Sequence, residues 1–126
     1  MAAALRLHRR VRGTDIDPWS VRTAAANARL NRLGGRVRFV RADGWAAPSV
    51  TEGGKFDLVF ANILARPLCR MARHLAAHLA PGGTAILAGL LDTQARWVLA
   101  AHRRHGLVLE RRLAEGKWCT LVLRRR

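Results

Sequence analysis

The segment Phe56-Asp57-Leu58-Val59-Phe60-Ala61-Asn62-Ile63-Leu64-Ala65 decides the fold class of this chain. Residues 56–61 form an almost continuous apolar run, which is typical of a parallel strand that is covered on both faces. The polar residue Asn62 follows the run at once. Because ligands bind at the carboxyl ends of the strands in an open α/β sheet, the sequence predicts that Asn62 lies at a binding site.

The residues after this strand predict a helix and a second buried strand. Four apolar side chains share one helical face: Leu68, Met71, Leu75 and Leu79. Pro81-Gly82-Gly83 is expected to end the helix, and residues 84–87 are expected to form the strand. This alternation of strand and helix favours an α/β fold with a parallel sheet.

The C-terminal residues predict one more helix and then an antiparallel pair of strands. Asp92 is expected to cap a helix that Gly106 closes. Residues 107–109 and 118–123 are expected to form the pair, with a turn near Glu115-Gly116.

The residues before the deciding segment predict two strands around a helix. Residues 11–14 read as a strand that ends at Asp15. Asp17 suits a helix N-cap, and Pro18 suits the first helical position because its missing N–H would be unpaired there. Residues 36–40 alternate polar and apolar, as an outer strand does. The whole pattern is three parallel β-α units followed by a terminal hairpin.

Length and composition predict one cytoplasmic domain that spans residues 1–126. A chain of 126 residues can bury one core but not two. The sequence contains no run of 18 apolar residues that could span a membrane. Its apolar start precedes Arg6, whereas a secretory signal places its positive charge first. In the cytoplasm, Cys69 and Cys119 are expected to stay reduced.

The charge of the chain raises the question of nucleic acid. The formal net charge is +15, with 23 basic residues against 8 acidic ones. The arginines are scattered along the chain, in pairs such as Arg9-Arg10 and Arg103-Arg104. Joint enrichment in alanine and arginine indicates a compositional bias of the source genome. A general basic surface is therefore favoured over a nucleic-acid groove, and direct nucleic-acid binding stays open without being favoured.

Three polar residues stand at predicted strand ends. The Asp15 carboxylate can accept hydrogen bonds from both hydroxyls of a ribose, or it can be an exposed turn acid or a second cap. Asp43 can accept from the amino group of adenine, although an Asp-Gly turn with Gly44 is the simpler reading. The Asn62 amide oxygen can accept from an amine nucleophile, and the same residue can serve as a helix N-cap.

No metal site is expected. His74 and His78 have the i, i+4 spacing of some metal ligands, but no third ligand is positioned for them. A solvated helix face is the preferred interpretation of the pair.

Together these features resemble one family, the bacterial methyltransferases of ribosomal large-subunit protein eleven (PrmA). The most specific match is Asn62-Ile63-Leu64-Ala65 with Pro67-Leu68. Further matching segments are residues 13–18, 26–28 with Asn31, 56–61, 79–83, 88–91 with Gln94, and 115–118 with 121–122. The resemblance covers nearly the whole chain.

The resemblance implies a Rossmann-like class I methyltransferase, a three-layer α/β sandwich with a mostly parallel sheet and a C-terminal antiparallel hairpin. It implies S-adenosyl-L-methionine as the cofactor. By it, Asp15 binds the cofactor ribose, Asp43 lies by the adenine, and Asn62 is the catalytic residue that lines both cofactor and substrate amine. Ile16 and Gly44 are expected to be further cofactor contacts. The implied substrate is a ribosomal protein of the large subunit, methylated on lysine or N-terminal amines.

One departure from the family pattern concerns its first strand and glycine-rich loop. The sequence enters near Ala2-Ala3-Ala4-Leu5-Arg6-Leu7, which resembles the end of the helix after that loop. In the family the first strand lies between the strands that end here at Asp15 and Asn62. The chain is therefore expected to expose two strand edges. Alone, it is expected to bind the cofactor poorly and to be inactive or marginally folded.

Two alternative functions stay open from the sequence. One is a methyltransferase of RNA or of a small molecule, which the basic charge favours and the Asn62 segment opposes. The other is a non-catalytic basic module that binds ribosomal RNA in a salt-sensitive and cofactor-independent way.

Overall fold

A computed structural model of the chain describes residues 10–15, 17–42, 45 and 55–126. The chain divides into two compact units, Met1–Glu52 and Gly53–Arg126. The single domain expected across residues 1–126 stays a prediction.

The first unit contains two parallel strands and a helix. Strand β1 (Val11–Asp15) pairs in register with β2 (Val37–Arg41), and helix α1 (Pro18–Leu30) connects them. The strands and helix that the sequence predicted here are confirmed. The unit's core is small, and its buried and half-buried members are Ala28, Leu33, Val37, Val11 and Phe39.

Helix α1 begins as the sequence predicted. Asp17 is the N-cap and its carboxylate accepts from the Trp19 backbone N–H at 3.1 Å and from the Ser20 hydroxyl at 3.0 Å. Pro18 is the first helical residue. The N-cap and proline predictions are both confirmed, because each rests on local backbone chemistry.

The second unit is a four-stranded mixed sheet with two helices. Its elements in chain order are β3 (Phe56–Asn62), α2 (Ala65–His78), β4 (Leu79–Leu91), a short 3-10 turn (Asp92–Gln94), α3 (Ala95–Arg103), β5 (Leu107–Glu115) and β6 (Trp118–Arg125). The strand order is β3-β4-β6-β5. Strands β3 and β4 are parallel, and β6 is antiparallel to both β4 and β5.

The core of the second unit lies between its sheet and helices. Leu87 and Leu121 are cross-strand partners in the β4–β6 ladder, and both side chains are fully buried. Helix α2 buries the predicted residues Leu68 and Leu75, whereas α3 buries Val98. Among the described residues, no helix is long and apolar enough to cross a membrane.

The predicted end of the second helix was wrong. Helix α2 ends at His78, and Leu79 begins β4 instead of continuing the helical face. Pro81-Gly82-Gly83 lies within β4, at an irregularity of the β3–β4 ladder between the pairs Phe56–Leu79 and Leu58–Thr84. The spacing of the apolar residues placed Leu79 in the helix, because a buried residue of a strand and one of a helix cannot be distinguished by hydrophobicity alone.

The predicted cap at Asp92 was also wrong. Helix α3 begins at Ala95, and no side chain caps it. The Asp92 carboxylate instead forms an ion pair with the Arg112 guanidinium. The nearby Gln94 side chain accepts a hydrogen bond from the Leu91 backbone N–H at 3.0 Å. This bond lies in the turn where Asp92 was expected to act as the cap.

Strand β3 is less covered than its apolar sequence suggested. Phe60 is 64% exposed and Leu58 is 39% exposed, so the expectation of burial on both faces was wrong. Within its unit β3 is an edge strand, and β4 is its partner among the described residues. An apolar run predicts a strand but does not say which elements lie against it.

Candidate functional site

Two of the residues predicted at strand ends occupy those positions. Asp15 is the last residue of β1 in the first unit, and Asn62 is the last residue of β3 in the second unit. Both side chains are exposed. The carboxyl end of a parallel strand is where ligands bind in this class of fold, so both residues remain candidate contacts.

The Asp15 side chain is held by one local hydrogen bond. Its Oδ1 accepts from the Asp17 backbone N–H at 3.0 Å, while the Asp15 backbone carbonyl accepts from Ala42 N–H at 2.9 Å. The second carboxylate oxygen, Oδ2, has no partner among the described residues. Asp15 is not the helix cap, since Asp17 takes that role. An exposed, oriented carboxylate with an oxygen to spare can accept hydrogen bonds from hydroxyl groups.

The electrostatics at the start of α1 favour ionised Asp17. Hydrogen bonds from the Trp19 backbone N–H and the Ser20 hydroxyl hold the pKa of the Asp17 carboxyl below its usual value. Asp17 is therefore charged at neutral pH and engaged in capping. This leaves Asp15, rather than Asp17, as the acid at this strand end that is available to a ligand.

Asn62 lies directly against the backbone of Gly89. Gly89 has a φ of +74°, and a β-carbon at this position would overlap the Oδ1 of Asn62. The glycine follows Ala88, the cross-strand partner of Asn62, at an irregularity in the β4–β6 ladder. A strand irregularity of this kind re-aims neighbouring side chains. Gly89 therefore both permits the local backbone turn and provides the space that the Asn62 amide occupies.

Gly89 is a neighbour of the candidate site that the sequence prediction missed. Gly89 belongs to residues 88–91, one of the segments that resemble the family, but the sequence analysis assigned no function to it. The available signal was a glycine inside the apolar run of residues 85–91, because a glycine within a strand marks a bulge or a close approach of backbone. The alternative role of Asn62 as a helix cap was wrong, because Leu64 precedes α2 as its N-cap and makes no side-chain cap bond.

The remaining predicted contacts lie outside the described residues. These are Ile16, Asp43 and Gly44. Their roles as cofactor contacts stay predictions.

The histidine pair of α2 has a structural explanation. The Nδ1 of His78 lies 2.7 Å from the His74 backbone carbonyl and donates to it, one helical turn away. Within the described part of the chain, no group of three His, Cys, Asp or Glu residues could hold a metal ion. Cys69 and Cys119 are both free, and Cys69 is half-buried whereas Cys119 is buried.

The whole chain matches one protein family. The family model described as "Ribosomal protein L11 methyltransferase (PrmA)" matches residues 1–126. A ribosomal protein L11 methyltransferase of Bradyrhizobium diazoefficiens is 54% identical over 125 residues, which is 99% of this chain and 42% of that protein. The corresponding protein of Rhizobium meliloti is 47% identical over 126 residues, 99% of this chain and 43% of its own length.

Solved structures show the same fold. A ribosomal protein L11 methylase from Lactobacillus delbrueckii subsp. bulgaricus superposes with a TM-score of 0.83 at 29% identity, over 93% of this chain and 58% of that one. An RNA methyltransferase from Salinibacter ruber, in complex with S-adenosyl-L-homocysteine, superposes with a TM-score of 0.73 at 21% identity, over 97% of this chain and 69% of that one. The Rossmann-like methyltransferase fold class predicted from the sequence is confirmed.

The match covers only part of each relative. The chain spans less than half the length of the curated relatives that it matches. The activity, substrates and partners of those longer proteins therefore bear on this chain as hypotheses.

Proposed function

The chain belongs to the ribosomal protein L11 methyltransferase (PrmA) family over residues 1–126, and we propose that it contributes part of the active site of an S-adenosyl-L-methionine-dependent protein methyltransferase. The proposed substrate is ribosomal protein L11, methylated on lysine side chains or its N-terminal amine. A cytoplasmic location belongs to the same proposal.

The geometry of Asn62 carries the proposal. Asn62 ends a parallel strand, its side chain is exposed, and its Oδ1 packs against the backbone of Gly89. Asn62 Oδ1 can accept a hydrogen bond from a neutral amine and so orient the nitrogen lone pair. Such positioning can supply most of the barrier reduction that a methyl transfer needs.

The cofactor residues fit the same proposal. S-adenosyl-L-methionine supplies an electrophilic methyl group on a sulfonium. Asp15, with an exposed carboxylate at the end of β1, would accept from the ribose hydroxyls. Ile16, Asp43 and Gly44 complete the proposed cofactor contacts on the strength of the family resemblance.

A chimaera tests the proposed function. We would replace the matching 125 residues of the Bradyrhizobium diazoefficiens relative with this chain and measure transfer of labelled methyl groups from S-adenosyl-L-methionine to purified L11. The expected result is labelled L11, with transfer lowered about 100-fold by Asn62→Ala. The unmodified relative is the positive control.

Two outcomes would contradict the proposal. A folded chimaera that binds cofactor but labels ribosomal RNA in place of L11 would favour an RNA methyltransferase. A folded chimaera in which Asn62→Ala leaves transfer unchanged would remove Asn62 from the site. Cofactor affinity, measured in parallel, separates a loss of binding from a loss of transfer.

A further inference from the structure

A surface groove in the second unit collects three of the arginines that look scattered in the sequence. It lies between α2 and α3 and has a volume of about 290 Å³. Arg66 and Arg70 border it from α2, and Arg104 borders it just after α3. Trp97 of α3 also lines the groove and is 48% exposed. The groove is therefore an aromatic surface with three cations around it.

Among the described residues, the charges of this groove have no counterion. Neither α2 nor α3 contains an acidic residue. The described ion pairs Arg112–Asp92 and Arg124–Glu110 involve none of the groove arginines. Cys69 also lines the groove, and partial burial raises the pKa of its thiol, so that it adds no negative charge. Three like charges around one depression favour an anionic occupant.

The ring face of Trp97 is more accessible to a flat partner than those of Trp19 and Trp118, which cations already cover. The Arg22 guanidinium lies over Trp19, 5.7 Å from the ring centroid, and the Lys117 ammonium lies over Trp118 at 5.6 Å. Among the described residues, no cation lies over the ring of Trp97. The floor beside it is formed by the small side chains of Ala100 and Ala101, which leave the ring accessible.

We propose that this groove binds single-stranded RNA, with a base stacked on Trp97 and phosphates held by Arg66, Arg70 and Arg104. Arg66 and Arg70 are one helical turn apart and project from the same side of α2, so they can follow a backbone of repeating charges. An exposed aromatic ring flanked by cations is the general means of binding single strands, because every base has a stacking face. An acidic peptide would satisfy the arginines but would leave Trp97 without a stacking partner.

The test compares two sets of arginines on the same two helices. The groove variant is Arg66→Gln, Arg70→Gln and Arg104→Gln. The control variant replaces three exposed arginines outside the groove: Arg73, Arg96 and Arg103. Both variants lose the same charge. Binding of the 126-residue chain to a labelled single-stranded RNA of about 12 nucleotides is followed by fluorescence anisotropy at about 50 mM and 200 mM salt.

The groove variant is expected to bind about tenfold more weakly than the control variant, and its salt slope should fall by about 2, the value for three lost phosphate contacts on a single strand. Trp97→Ala should weaken binding about tenfold, whereas Trp118→Ala, a similarly exposed tryptophan, should change it little. Circular dichroism spectra establish that each variant is folded.

Several results would overturn the inference. Equal losses in the two arginine variants would mean that the whole basic surface binds RNA without a groove. Equal effects of Trp97→Ala and Trp118→Ala on RNA binding would contradict the proposed stacking of a base on Trp97. Tighter binding of a polyglutamate peptide of matched charge would identify a peptide site instead. None of these readouts depends on methyl transfer, so the inference stands or falls independently of the proposed function.

Discussion

Glycine 89 is the residue on which the candidate site depends most. It is one of four glycines with positive φ in the described structure, and its missing side chain leaves the space that Asn62 Oδ1 occupies. An asparagine amide can adopt several rotamers, and contact with the Gly89 backbone limits that choice. The identity of a residue next to the site thus controls the direction of a side chain within it.

Substitution of Gly89 should separate backbone strain from site geometry. We predict that Gly89→Ala destabilises the chain by about 1–2 kcal/mol, since a β-carbon is disfavoured at positive φ. It should also displace Asn62 and, in the chimaera, lower methyl transfer about 100-fold. Urea unfolding and labelled methyl incorporation measure the two effects.

Gly82→Ala is the matched control for this substitution. Gly82 has a φ of +75°, but a β-carbon there would meet no atom within 4 Å. Gly82→Ala is expected to lower the stability about as much as Gly89→Ala but to leave methyl transfer unchanged. Equal loss of transfer in both variants would show that Gly89 acts only through stability.

His102 should make the second unit sensitive to mild acid. Its side chain is fully buried, and its Nδ1 donates to the Val98 carbonyl at 2.7 Å. Its Nε2 is buried and has no hydrogen-bond partner within the part of the chain that the structure describes. Burial lowers the pKa of His102 below 6.5. The imidazole of His102 therefore binds a proton less readily in the folded state than in the unfolded state. The folded state is fully stable in this respect above pH 6.5, and its stability declines as the pH falls below that value.

The expected decline is at most about 1.4 kcal/mol per pH unit for one titrating group. Urea unfolding at about pH 7.5 and about pH 5.5, on either side of the ordinary histidine pKa, measures it. His102→Leu keeps the buried volume and removes the titration, so its unfolding free energy should vary less between the two pH values. An unchanged pH dependence in His102→Leu would assign the effect to other groups.

Among the elements, helix α1 should respond to acid through its cap. Because hydrogen bonds lower the pKa of Asp17 below 3.8, the ionised cap stabilises the helix fully above pH 3.8. That stabilisation is lost as the pH falls through the lowered value. Asp17→Ala should reduce helicity at neutral pH, as seen by circular dichroism, and should remove this acid-dependent step. Asp17→Asn, which keeps an accepting side-chain oxygen, should retain most of the helicity at neutral pH.

The elements also show how far sequence reasoning reaches. The start of α1 was predictable because Asp17 and Pro18 act through their own backbone surroundings. The start of β4 was not, since burial of Leu79 is equally compatible with a helix or a strand. The ion pair of Asp92 with Arg112 could not be predicted from the sequence for another reason, because it joins residues that are distant in the chain. Interactions between neighbouring residues can be predicted from the sequence, whereas pairing between distant residues cannot.

The candidate site follows the same division. The positions of Asp15 and Asn62 at strand ends were predicted, because each is a polar residue that follows a short β-like run in the sequence. The packing of Asn62 against Gly89 was not, since the two residues meet only through the β3–β4 ladder. The convergence of arginines around Trp97 likewise needs the packing of α2 with α3.

At the scale of the whole molecule, net charge and an exposed strand edge act against each other. The chain has a net charge of +15, which keeps copies apart at low salt. Strand β3 presents the exposed side chains of Leu58 and Phe60 at a sheet edge. We predict that the chain is monomeric at about 20 mM salt and associates at about 500 mM, where the charge is screened. Sedimentation velocity measures the change.

Phe60→Lys should suppress this association, because a charge on an edge strand opposes pairing with another copy. Leu30→Lys is the control, since Leu30 is exposed on α1 and adds the same charge away from any sheet edge. Association that persists equally in both variants would locate the contact elsewhere.

The same strand edges bear on cofactor affinity. We expect the chain alone to bind S-adenosyl-L-methionine weakly, because β1 and β3 each have one strand partner among the described residues and β3 is exposed. Tight binding in a calorimetric titration of the 126-residue chain would show this expectation to be wrong.

The order of strands in the second unit constrains how it can form during synthesis. Strand β6 follows β5 in the sequence, yet it lies between β4 and β5, with Leu121 and Leu123 fully buried. While β6 is still inside the ribosomal exit tunnel, β4 and β5 have no shared partner and Leu87 has no cross-strand neighbour on that side. The unit can therefore close only after β6 has left the tunnel, and a nascent chain that pauses earlier exposes its core to chaperones and proteases.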